Sequence, residues 1–235
     1  MKKFVLIIAS LLWLCSCELA TTFEYDFDSF VTAYYEYANI AVVVNNGPEV
    51  LVCPKIGEIY SEQSSDSQIK ARFDELANSY NDLNYNKKHV GVQPFHYPNL
   101  MAIENIAKID IICIEDIDES HKAGESVADL FTFNTVSPLR FIQSGYTYLL
   151  DVNSSNHSNG YFKLYYEPIL KPLDETTSSD LYMIGNGEYI NNMLFYLTPK
   201  DVNNCPALGK KLRLTLNYDN QYPISKDFVF EKGKY

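Results

Sequence analysis

The acidic stretch DIDESHKAGE, residues 116–125, is where this chain comes nearest to an ion-binding pattern. Asp116, Asp118 and Ser120 have the alternate-residue spacing with which a calcium loop begins. Such a loop then needs glycine at its sixth place and glutamate at its twelfth, where this sequence has His121 and Val127. The EF-hand reading therefore fails, and an irregular calcium site from Asp116, Asp118 and Glu119 is the weak candidate left. The plainer expectation is a solvated crossover loop that leads, through a Ser126 cap, into a short helix at 127–131.

Other chemistry is sparser. His89, His96, His121 and His157 include no pair four residues apart and no HExxH pattern. Gly185-Asn186-Gly187 lacks the third glycine and the helix of a dinucleotide site, and neither a GxSxG elbow nor a P-loop occurs. No catalytic residue and no cofactor emerges. Thirty acidic residues leave a glycosidase-type carboxylate pair open, but abundance alone does not locate one. The compositional oddity is nineteen tyrosines. A phenol ring offers an apolar face and a hydroxyl, which suits sugar stacking and protein recognition. On a strand at 160–167, Tyr161, Lys163 and Tyr165 share one face and form a candidate ligand patch. The bland alternative is ordinary strand tyrosine.

The strongest signal is at the N-terminus. Lys2 and Lys3 precede an apolar run of eleven residues, 4–14, too short to span a bilayer, which takes about 20. The run ends Leu14-Cys15-Ser16-Cys17, which resembles the lipobox read by lipoprotein signal peptidases. The residue before the modified cysteine must be small: Ser16 qualifies and Leu14 does not. Cys17 is thus the expected lipid-bearing residue, and Cys15 leaves with a signal peptide of residues 1–16. Two or more acyl chains, each gaining about 0.8 kcal/mol per buried CH₂, anchor a protein stably to a membrane surface. Glu18 follows, where an aspartate would resemble an inner-membrane retention signal, so the expectation is the outer membrane of a bacterial cell envelope.

With the lipobox, the acidic strands rich in Asn and Tyr and the loop at 116–124, the chain resembles the uncharacterised lipoprotein family of Bacteroidetes. That resemblance implies an envelope location and no known activity, and it carries over no functional residue.

Composition narrows the partners. The formal net charge is −11 over 235 residues. Without Lys2 and Lys3, 17 basic residues face 30 acidic ones, or −13. Such a surface repels phosphate backbones, and no basic stripe is present, so nucleic acid is not a partner. The expected partners are the membrane, through the lipid anchor, and a protein or glycan. Besides Cys17, the mature chain has Cys53, Cys113 and Cys205. Cys113 lies in an apolar strand and reads as a core thiol. Cys53 and Cys205 each precede a proline, and a disulfide between them is open.

The elements that must position any site are mostly strands. Apolar alternation or apolar runs mark strands at 34–44, 49–59, 107–115, 145–153, 160–167, 181–184, 193–197, 212–218 and 227–231. The stretches 145–153 and 160–167 read as a hairpin with a long polar loop, and residues 219–221 as a turn. One amphipathic helix is expected at 66–83, because Ile69, Phe73, Leu76, Tyr80 and Leu83 fall at steps of four and three, with Ser65 or Asp66 as cap. Residues 17–30 read as a lipidated tether. The fold class is mainly β: an antiparallel immunoglobulin-like β-sandwich over 31–235, or two small sandwiches split near 120. The functional expectation is a non-enzymatic envelope lipoprotein. The alternatives are a carboxylate-based glycan hydrolase and a fimbrial or pilus-type subunit. Subunits of that type resemble chains matured at an arginine soon after the anchor, and the first arginine here, Arg72, falls inside the helix.

Overall fold

The computed structural model describes residues 23–44, 49–91, 100–149, 165–185, 193–219 and 221–231. Cys17, Tyr161, Lys163, His96 and His157 lie outside them, as do most of the expected hairpin at 145–167. The architecture is mainly β. In chain order the strands are β1 (Phe23–Phe27), β2 (Ala33–Val44), β3 (Val50–Ser61), β4 (Lys87–Gly91), β5 (Leu100–Ala102), β6 (Ile106–Cys113), β7 (Phe131–Ser137), β8 (Glu167–Pro172), β9 (Phe195–Pro199), β10 (Lys211–Tyr218) and β11 (Ile224–Val229). Helix α1 is Ser67–Ser79, and the short α2 is Leu139–Gln143.

Six strands form one sheet in the order β5-β2-β3-β9-β7-β8, three form a second as β11-β10-β6, and β1 pairs with β4. All pairings are antiparallel except β2 with β5. Period-two patterning explains how the two larger sheets meet. In β10, Leu212, Leu214 and Leu216 are buried while Lys211 and Arg213 are exposed. In β7, Phe131, Phe133, Thr135 and Ser137 are buried on one face. These faces, with Val50, Val52, Phe195, Leu197, Ile109 and Ile111, merge into one apolar core. Each such side chain, fully buried, contributes about 1.5–3 kcal/mol.

A second core lies on the other side of the six-stranded sheet. Alternation along β2 sends Ala33 and Tyr35 into the first core and Tyr34 into the second. There Tyr34 meets Phe73, Leu76 and Ala77 of α1 and its C-cap Tyr80, together with Phe30, Met101, Phe141, Ile142 and Tyr166. Asp66 caps α1 by accepting hydrogen bonds from the N–H groups of Gln68 and Ile69, at 2.8 and 3.3 Å. The apolar spacing runs on to Leu83, but the helix stops earlier. Asn81 adopts φ +55°, and the Asn81 and Asp82 N–H groups bond back to the Asn78 and Ala77 carbonyls. That is the left-handed cap with which many helices end.

Several sequence expectations differ from the structure. Residues expected to act as a tether through 30 include strand β1, and Ser29 and Phe30 are buried. The strand expected from 145 does not form at 145–149: Tyr146 has φ +63°, and the Ser144 hydroxyl accepts from the Thr147 and Tyr148 N–H groups, winding a turn. Residues 181–184 are not a strand either. A short 3-10 helix, Ser178–Leu181, is closed by reciprocal Thr177 and Asp180 bonds. The helix expected at 127–131 is a single 3-10 turn, Ala128–Leu130, with the Ser126 hydroxyl accepting from the Ala128 N–H at 3.2 Å. Strand β8 contains Pro168 and Pro172, which are tolerated because it is the edge of its sheet. Cys53, Cys113 and Cys205 are all free thiols, so no bond joins Cys53 to Cys205.

Candidate functional site

The turn between β5 and β6, Ile103-Glu104-Asn105, is held on two sides. The Ile103 N–H donates to the Tyr35 carbonyl of β2 at 3.0 Å. The Tyr80 hydroxyl at the end of α1 donates to the Ile103 carbonyl at 3.1 Å. This fixed turn forms one wall of a cavity of about 310 Å³, whose remaining lining comes from Arg72 of α1 and from Tyr218, Asp219 and Gln221 at the end of β10.

Tyrosines reach this place through sheet irregularities. The β2–β3 register shifts on both sides of Tyr37. The β10–β6 register shifts between Asn217 and Tyr218. The extra residue in β6 also explains why its buried positions run Ile106, Ile109, Ile111, Cys113 instead of keeping one strict alternation. Bulges re-aim side chains and are common beside functional sites. Here three such shifts flank Tyr37 and Tyr218, whose rings lie 6.0 Å apart between centroids, with Tyr35 packed edge-on against Tyr37 at 5.7 Å.

Three polar atoms at this point lack partners among the described residues: Glu104 Oε2, the Tyr37 hydroxyl and the Tyr218 hydroxyl, all buried. An unsatisfied buried polar atom costs about 1–3 kcal/mol. Burial pushes the Glu104 carboxyl up to about 7, against the pull of the Glu104 and Tyr37 backbone N–H groups. Burial and the nearby Glu104 raise the Tyr218 phenol as well, and Tyr80 is pushed up to about 12, mainly by burial. Near neutral pH the cavity therefore offers the Glu104 carboxyl poised between donor and acceptor, one neutral phenol from Tyr218, the carboxyl of Asp219, two amides and one guanidinium. The Arg72 guanidinium already spends Nη1 on Glu75 Oε2 at 2.6 Å.

The loop at 116–125 is built differently. Asp116 Oδ1 accepts from the Ala123 N–H at 2.9 Å, which holds its carboxyl below the usual range. Asp118 Oδ1 accepts from the Ser120 and His121 N–H groups and meets His121 Nδ1 at 2.9 Å. His121 Nε2 faces Asp129 at 3.3 Å. Desolvation pulls the His121 ring pKa down, and the two aspartates outweigh it and hold the ring above its usual value. These carboxylates are occupied in shaping their own loop, and Glu119 is exposed. Among the described residues no group of three or more His, Cys, Asp or Glu side chains converges as a metal site would.

Of the expected patch of Tyr161, Lys163 and Tyr165, Tyr165 is the member among the described residues. It is half-buried, with its ring 4.7 Å from that of Phe141 and 5.7 Å from that of Phe30. Many of the remaining tyrosines belong to the same helix-side core or its margin, including Tyr34, Tyr80, Tyr85, Tyr146, Tyr166 and Tyr182. Composition pointed to tyrosine as a recognition residue, but the tyrosine that lines the cavity is Tyr218. Glu104 had no signal in the sequence, because its setting is made by residues far away along the chain.

A second cavity, of about 340 Å³, lies against β7 and β9 and is lined largely by apolar groups, among them Val136, Leu170, Leu194 and Phe195. No described helix is long and apolar enough to cross a membrane. No family model matches the chain, and neither a curated protein nor a solved structure matches it.

Proposed function

We propose that this chain is a bacterial envelope lipoprotein, anchored by acyl groups on Cys17, whose strand-built body binds a ligand, protein or glycan, without transforming it. The lipobox and the likeness to Bacteroidetes lipoproteins support the anchor. The observation that carries the binding reading is the Glu104 cavity, two of whose lining residues, Glu104 and Tyr218, each hold a buried polar atom with no partner among the described residues. We read the architecture as one antiparallel sandwich whose body extends ahead of residue 31, since Ser29 and Phe30 are buried. Support comes from the shared core of the two large sheets and from the pairing of β6 with β10, which joins chain from both sides of residue 120. The antiparallel pairing is in keeping with an immunoglobulin-like type.

The test has two arms. Metabolic palmitate labelling is expected to be lost in Cys17→Ala, and labelling that survives the change removes the anchor. Chemical-shift mapping with a small-ligand library is expected to move Glu104 and Tyr218 signals, and a cavity that responds to nothing removes the binding reading.

One observation favours a second reading. Glu104 and Asp219 line the same cavity, and a carboxyl at about 7 suits a general acid. A carboxylate hydrolase would release sugar from a chromogenic glycoside, and Glu104→Gln would abolish the release.

A further inference from the structure

We propose that the Glu104 cavity takes a neutral saccharide, a short chain end with unmodified hydroxyls, and discriminates against acidic ones; this rests on the binding reading above. A sugar hydroxyl both donates and accepts, and the cavity wall presents both needs in a small space. Among the described residues neither Glu104 Oε2 nor the Tyr218 hydroxyl has a partner. The amides of Asn105 and Gln221 add donors and acceptors, and Arg72 adds donors. The apolar C–H face of a pyranose needs a flat apolar surface, and Tyr218 and Ile103 are the aromatic and aliphatic members of the lining. The volume is at the lower end for small-ligand pockets, so a chain end fits better than a long polymer.

Charge decides between classes of sugar. Glu104 and Asp219 line the cavity, and Glu36 lies close enough to act on Glu104. The cation of the wall, Arg72, is already paired with Glu75. The whole chain carries −11. A uronate, sialate or phosphate would enter against like charge without a free counter-ion among the lining residues. An apolar ligand would leave Glu104 Oε2 and the Tyr218 hydroxyl as they are.

The experiment is saturation-transfer NMR and calorimetry on the full chain in detergent, with neutral oligosaccharides, their uronate-bearing counterparts and a set of sugar-free polar fragments. Neutral sugars are expected to bind. Tyr218→Ala should weaken them about tenfold or more, and Glu104→Gln by several-fold. Tyr218→Phe keeps the ring and guards against misfolding; it should lose only the share due to the hydroxyl. Equal binding of acidic sugars, or binding unmoved by all three substitutions, overturns the proposal. Fragments that bind at Glu104 while sugars do not would overturn the saccharide and leave the binding reading intact. Silence from both sets would overturn both. Turnover of a bound neutral glycoside would keep the saccharide and overturn the non-enzymatic reading.

Discussion

The two cores on either side of the six-stranded sheet solve the same problem with different chemistry. The core between the sheets is aliphatic and phenylalanine-rich: Leu212, Leu214, Leu216, Ile111, Phe131, Phe133 and Phe195 are all fully buried. The core under α1 is aromatic and carries hydroxyls. Phe30 packs edge-on against Phe141 at 5.0 Å, and Tyr34 stacks on Tyr80 at 5.6 Å. At its margin sits Asp82, fully buried, whose carboxylate accepts from the Phe30 and Val31 N–H groups at 2.9 and 2.7 Å and from the Tyr146 hydroxyl at 2.9 Å. The first core is held mainly by buried area, with an isolated polar contact such as the Thr135 hydroxyl donating to the Leu194 carbonyl at 2.6 Å. The second also needs each polar group to find its partner, so it is more specific and easier to damage with one atom.

Four substitutions test that contrast. The largest effect is expected from Phe133→Ala, at about 3–5 kcal/mol lost in denaturant unfolding, because a cavity opens where both sheets meet. Next is Asp82→Ala, expected to cost about 3 kcal/mol, since two backbone N–H groups and a phenol lose their acceptor together. Native-state hydrogen exchange should separate the two changes. Asp82→Ala should free α1 and residues 28–31 first, while β10 amides stay protected; uniform loss of protection would mean that the two cores are one unit. A smaller effect follows from Glu104. Its folded pKa stands at about 7, above the ordinary 4.5, so its contribution is fully present below the ordinary value and is lost as pH rises through about 7. Thermal stability should therefore fall between those pH values in the native chain, and the fall should flatten in Glu104→Gln. Smallest is Tyr34→Phe. The Tyr34 hydroxyl is buried without a hydrogen-bond partner among the described residues, so its removal should raise stability by about 1 kcal/mol. A loss there would place a partner on that oxygen.

The same contrast explains what could be read in advance. Strict alternation made β10 plain, and the long β2 and β3 were visible as β-branched and aromatic runs ending at a turn signal. The helix was visible from its apolar steps, but not its end, because Asn81 stops it through backbone conformation while the apolar spacing continues. Strand β8 was hidden by its own prolines, which argue against a central strand and say little against an edge one. Strand β7 alternates as clearly as β10, but the polar loop before it drew the reading toward a helix that turns only once. At the site, the loop at 116–125 advertised its carboxylates, yet they serve the loop's own backbone. Glu104 advertised nothing. Its environment depends on register shifts at Tyr37 and Tyr218, and a bulge of this kind leaves no local mark in the sequence.

The prolines of β8 have one more effect. A flat sheet margin with a full row of amide hydrogens is an invitation for another chain to add itself, and molecules gathered on a surface meet one another often. Pro168 and Pro172 remove two of those hydrogens from the outermost strand of the largest sheet, in a segment that also exposes Leu170. A second copy is thereby offered a poorer template for fibre growth at a margin where apolar contact would otherwise encourage it.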